Sequence, residues 1–157
     1  MSVLPNGEYT IINKATELIV GRNVFEDKSG LPKGIFTLDP SVGTEDGRRW
    51  TIVNVEEGRS VLRAGGAPVG ERERLLYAFI NNDIADAGIG EWIIEKVPQE
   101  GEDCYIIVNP TDRLIGWVAH SEEAKDKQIE VRELISTKSL PPRYPHHQVF
   151  VIRPIGY

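Results

Sequence analysis

The chain has 157 residues, 40% of them apolar and 27% charged, and a formal net charge of −6. That length suits one domain, 1–157, with a core that needs no staples, and the acidic balance argues against a nucleic-acid partner. No apolar run approaches the roughly 18 residues of a membrane span, and Cys104, the lone cysteine, cannot close an internal disulfide.

The first predicted strand is Tyr9–Asn13, entered through a Pro5-Asn6-Gly7 turn. The second is Leu18–Arg22. A polar loop, Glu26 to Gly34, leads to a third at Ile35–Leu38. Asp39–Arg48 holds Pro40, Gly43 and Gly47 and reads as loop. The fourth strand, Arg49–Val55, turns tightly at Glu56–Arg59 into a fifth at Ser60–Ala64. A Gly65–Pro68 turn leads to a sixth near Val69.

Leu75–Ile80 is read as the seventh strand, although Glu71–Leu76 is rich in helix formers. The eighth to tenth are Glu91–Val97, Cys104–Asn109 and Leu114–Ala119. Polar and apolar residues alternate over Gln128–Leu134, which predicts an eleventh at Ile129–Leu134. Ser136–His146 is a proline-rich loop before the twelfth, Gln148–Pro154.

Two repeats bind these strands together. Trp50/Ile52, Trp92/Ile94 and Phe150/Ile152 each put a large aromatic and an isoleucine on one strand face. Tyr9-Thr10-Ile11-Ile12-Asn13 with Leu18-Ile19 matches Tyr105-Ile106-Ile107-Val108-Asn109 with Leu114-Ile115 at a constant offset of 96 residues. Twelve short strands in three blocks predict an all-β chain of β-trefoil plan, a six-stranded barrel closed by three hairpins.

Enzyme signatures are missing. There is no Gly-x-Ser-x-Gly elbow, and Gly65-Gly66 to Gly70 lacks the Lys-Ser/Thr of a phosphate loop. His146 and His147 are adjacent, so in extended chain they point apart and make no metal pair. Cys104 opens an apolar strand and reads as a buried structural thiol. Neither a metal nor a cofactor is expected. The N-terminus shows no secretory leader, so a reducing, cytoplasmic location and a monomer are expected.

Loops on a rigid barrel are what remains to carry function. Gly7–Asn13, Gly21-Arg22-Asn23 and the Glu26–Lys33 loop resemble the mushroom β-trefoil protease inhibitors, most closely the cospin/cnispin-type serine protease inhibitors. The resemblance implies a defensive fungal inhibitor of trypsin-like serine proteases rather than an enzyme. It implies a reactive loop of Asp27, Lys28, Ser29, Gly30 and Leu31, with Lys28 entering the specificity pocket. That pocket ends in a carboxylate, which accepts the Lys found where the family pattern carries Arg. Pro32 would restrict the loop and lower the entropy lost on docking.

Arg59, in the tight turn after the fourth strand, and Arg143, in Leu140-Pro141-Pro142-Arg143, are alternative anchors. The related mycocypins imply cysteine-protease inhibition as an alternative, although Asn13–Thr16 lacks the glycines expected there. A carbohydrate-binding lectin is the other. Its Gln-x-aromatic pattern survives only at Gln148-Val149-Phe150, with Trp117 to stack a sugar if it faces outward.

Overall fold

Alternation of apolar and polar residues dictates strands with one buried face, and nearly every described element is one. The computed structural model describes residues 4–22, 31–38, 45–80, 90–119 and 127–155. In chain order they form β1 (Gly7–Asn13), β2 (Ile19–Arg22), β3 (Lys33–Leu38), α1 (Glu45–Arg48), β4 (Trp50–Asn54), β5 (Ser60–Ala64), β6 (Ala67–Arg72) and β7 (Leu75–Ala78). There follow β8 (Glu91–Lys96), β9 (Cys104–Val108), β10 (Ile115–Val118), β11 (Lys127–Gln128), β12 (Glu130–Glu133) and β13 (Phe150–Pro154).

Six strands close a ring. β1 pairs β4, β4 pairs β5, β5 pairs β8, β8 pairs β9, β9 pairs β13, and β13 returns to β1, all antiparallel. Closure leaves these strands no open edge. The hairpin strands meet one another instead: β3 pairs β7, β12 pairs β7, and β11 pairs β3.

Most predicted strands are present within a residue or two. Asp39–Arg48, read as loop, contains the helical turn α1. The predicted eleventh strand is present as β12, and a two-residue strand, β11, precedes it; between them Ile129 donates its N–H to Ile35 O (2.8 Å) and accepts from Leu76 N–H (3.0 Å). Leu75–Ala78 is a strand despite the helix formers before it. Glu73 (φ 54°) and Arg74 (φ 66°) both take the left-handed conformation of a two-residue hairpin turn, and Arg74 N–H bonds to Glu71 Oε2 (2.7 Å).

The repeat holds with one correction. Asn13 Oδ1 accepts from Ala15 and Thr16 N–H, and Asn109 Oδ1 does the same for Thr111 and Asp112. Ile12 pairs with Ile19, whereas Val108 pairs with Gly116. The first strand of the hairpin therefore recurs after 96 residues and the second after 97. The β9–β10 turn is one residue longer, so Trp117, not Gly116, stands where Val20 does.

That shift fills the core. Trp117 is fully buried, with ring centroids 5.6 Å from Trp50, 5.6 Å from Trp92 and 6.0 Å from Phe150. Trp50 Nε1 donates to Val20 O (2.7 Å) and Trp92 Nε1 to Val69 O (2.9 Å). Phe150, the third copy, has no donor to give. Gly116 is needed for close approach here, because a Cβ on it would lie 2.4 Å from Ile107 O. Gly116→Ala is expected to cost about 1–3 kcal/mol through forced backbone movement. Urea unfolding beside the unaltered protein measures it, and an unchanged midpoint would refute the close approach.

Candidate functional site

The reactive-loop residues Asp27, Lys28, Ser29 and Gly30 lie outside the described residues. Their frame is described. β2 and β3 pair from Ile19↔Leu38 to Arg22↔Ile35, so the connection starts from a registered hairpin stem. Leu31, at its far foot, is 65% exposed.

The alternative anchors are both occupied. Arg59 sits in a tight turn after β4, where its guanidinium lies 3.3 Å from Glu91 and donates to Glu56 O (3.2 Å). Arg143 Nε donates to Glu100 Oε2 (2.9 Å) and its Nη2 to Glu100 Oε1 (3.2 Å). This two-point pairing holds the guanidinium at the base of its loop and lets Arg143 brace the loop, although its side chain stays 56% exposed.

The proline-rich loop around Arg143 is built in layers. At its first stem, buried Gln148 accepts from Ile135 N–H (2.9 Å) and donates to Ile135 O (2.8 Å). At its neck, Thr137 N–H donates to Arg143 O (2.9 Å) and Arg143 N–H to Thr137 Oγ1 (2.8 Å). Inside, Thr137 Oγ1 and Ser139 Oγ are 2.6 Å apart, and Ser139 Oγ donates to Pro141 O (3.0 Å). At its second stem, Gln99 Nε2 donates to Pro142 O (2.8 Å) and Tyr144 N–H to Glu100 Oε2 (2.8 Å).

Thr137 to Pro141 is nevertheless exposed throughout, and Leu140 is 96% exposed. An open groove of about 320 Å³, lined by Ile135, Ser136, Thr137, Arg143, Tyr144 and Pro145, flanks the neck. The result is a short protruding segment, Lys138-Ser139-Leu140, held from both sides and shaped from within. Sequence reasoning took Arg143 from this loop and passed over Lys138. The available signal was a basic residue followed by serine and two prolines.

The residues behind a sugar site are committed elsewhere. Trp117 is buried in the core, and Gln148 is spent on Ile135. The aromatic platform of the lectin alternative is therefore missing, because the longer β9–β10 turn points that indole inward. Asn13 likewise spends its amide on His147 O (3.1 Å) and Val149 O (3.4 Å), which pins the first turn to the barrel. Cys104 is a buried thiol, raised in pKa mainly by burial.

Two titrating groups sit under the loop. Glu100 is held below the usual carboxylate range, chiefly by its hydrogen bond from Arg143. His147 is pushed below the usual imidazole value by burial and then by Arg132. Both shifts mean that the unfolded chain binds more protons, so stability rises with pH and is lost as the pH is lowered. The melting midpoint is expected to drop in two stages, first below about pH 6.5 for His147 and then below about pH 4.3 for Glu100. Scanning calorimetry from pH 8 to 3 checks this. A midpoint flat between 7 and 5 would contradict the first stage.

Known proteins agree with an inhibitor. The model of the family described as Peptidase inhibitor I66 matches residues 1–154. A serine protease inhibitor of Lentinula edodes is 36% identical over 149 residues, 95% of this chain and 96% of that one. A solved proteinase inhibitor from Coprinopsis cinerea superposes with a TM-score of 0.87 at 32% identity, over 97% of this chain and 99% of that one. A designed threefold-symmetric protein, ThreeFoil, matches with a TM-score of 0.70 at 11% identity over 95% and 99%, a likeness of fold alone. The relatives are inhibitors of proteases, not enzymes. By family model, sequence and structure together, this chain belongs to the Peptidase inhibitor I66 family.

Proposed function

We propose that this chain, a β-trefoil by its closed ring and threefold repeat, inhibits trypsin-like serine proteases by offering a Lys–Ser bond as a substrate would. The observation that carries the reading is the exposed Lys138-Ser139-Leu140 segment on a loop hydrogen-bonded across its own neck between Thr137 and Arg143. A substrate-like inhibitor needs one exposed anchor on a segment already shaped for the cleft, so that little freedom is lost on docking. Lys138 supplies the positive anchor for a pocket ending in a carboxylate. Leu140 supplies an apolar contact on the leaving side.

Lys28–Ser29 is the second reading, favoured by the family resemblance and by the registered β2–β3 stem beneath it. Both bonds join lysine to serine, so both address the same class of protease. The protein acts as a monomer in this reading, since one loop suffices for one protease.

Titration of trypsin activity with the purified protein tests the function. Inhibition complete at one molar equivalent supports it. Full trypsin activity at excess protein would overturn it, and inhibition of papain instead would favour the cysteine-protease alternative.

A further inference from the structure

Glu100 is the one buried acidic residue among those described. It ends a helical turn, Pro98–Glu100, between β8 and β9. Its carboxylate receives the Arg143 guanidinium at two points and the Tyr144 N–H, and His146 Nε2 lies 3.5 Å from Oε1. Its own carbonyl receives Lys14 Nζ and faces Cys104 Sγ at 3.7 Å. Its neighbour Gln99 holds Pro142 O. Three consecutive residues, Pro142, Arg143 and Tyr144, are thus gripped by one turn of the barrel, and all three lie on the leaving side of the Lys138–Ser139 bond.

We infer that Glu100 is a positioning residue, which keeps the leaving segment in place through Arg143 and so makes this loop an inhibitor rather than a substrate. The inference rests on Lys138–Ser139 being the reactive bond. The chemistry shows why the grip matters. The protease serine Oγ attacks the Lys138 carbonyl carbon, the Lys138–Ser139 C–N bond breaks, and the serine's proton ends on the Ser139 amine. The product is an ester joining Lys138 to the protease.

Two nucleophiles then compete for that ester. Water would release Lys138 as a carboxylate and leave the chain cut. The Ser139 amine would re-form the peptide bond and return the proton to the protease serine. An amine tethered beside the ester has a high effective concentration, which favours resealing and keeps water out. Here the tether from Ser139 runs only to Pro142 and Arg143 before the barrel holds it. On the other side, Gln148 holds Ile135, so the two ends cannot drift apart.

The test uses the whole protein with trypsin, followed by residual activity and by intact mass over time. The variants are Glu100→Gln, Arg143→Gln and Arg143→Lys, each first shown to be folded by its melting midpoint. Glu100→Gln and Arg143→Gln are expected to inhibit at first and then lose inhibition. The two pieces cut after Lys138, 1–138 and 139–157, whose masses sum to the intact chain plus one water, should accumulate about 100-fold faster than in the unaltered protein. Arg143→Lys should be cut at an intermediate rate. Should Glu100→Gln fail to fold, Arg143→Gln carries the same test from the exposed side of the pair.

A structural role alone would lower the melting midpoints without raising the cutting rate well below them, and that result overturns the inference. If Lys138→Ala inhibits like the unaltered protein and no variant is cut after Lys138, the site reading fails and the inference falls with it. If Lys138→Ala loses inhibition while Glu100→Gln and Arg143→Gln stay uncut, only the role of Glu100 fails.

Discussion

Lys138→Ala is expected to weaken trypsin inhibition by about a thousandfold or more, or roughly 4 kcal/mol, the range of a central anchor in a buried pocket. The reason is geometric. Lys138 stands on the exposed stretch of a loop whose neck, stems and interior are all hydrogen-bonded. Arg143, the other basic residue of the loop, is already committed to Glu100. Lys138→Arg should retain inhibition, since the pocket's carboxylate accepts either cation. Lys28→Ala, measured beside it, separates the two loops. A large loss there with none at Lys138 would move the anchor to the β2–β3 loop.

Trp117→Ala is expected to cost about 3–5 kcal/mol, the range for emptying an aromatic from a core. For a domain of ordinary stability that is a large share of the whole. Trp117 touches the aromatic of each of the three blocks, so its removal unpacks all three at once. Conservative changes should rank in an unusual order. Trp117 Nε1 has no acceptor among the described residues, so Trp117→Phe removes a buried donor that has no partner. Trp50→Phe and Trp92→Phe each break a buried hydrogen bond, to Val20 O and Val69 O. They should therefore cost about 1 kcal/mol more than Trp117→Phe. Equilibrium unfolding of the three variants checks the order. A Trp117→Phe variant less stable than the other two would contradict it.

The barrel was legible because its signals are local. Trp50, Trp92 and Phe150 each stand two residues before an isoleucine, and all six side chains are buried. Tyr9–Asn13 and Tyr105–Asn109 repeat down to the asparagine that folds each turn. The one-residue shift at Trp117 was invisible, because Leu18-Ile19 and Leu114-Ile115 align by letters while the ladders align Ile19 with Gly116. Strand β7 was contested for a similar reason. Glu73 and Arg74 favour helix, yet the hairpin forces both to positive φ.

The site was less legible because its supports are distant in sequence. Lys138 and Arg143 are five residues apart and equally basic. What separates them is Glu100, 43 residues before Arg143 and unmarked among many surface acids. Likewise Gln148 first read as a remnant of a sugar motif, and only its pairing with Ile135 shows its structural use. Loop function here depends on which side chains the barrel has already engaged, and no window of sequence contains that.

The most direct test is to incubate the protein with a trace of trypsin until cut and uncut chains reach equilibrium, then locate the cut by mass spectrometry. The account predicts a single cut, after Lys138, with uncut chain remaining and inhibition preserved. A single cut after Lys28 would transfer the same mechanism to the β2–β3 loop. Progressive cutting at many bonds, with inhibition lost, would show a substrate and contradict substrate-like inhibition altogether.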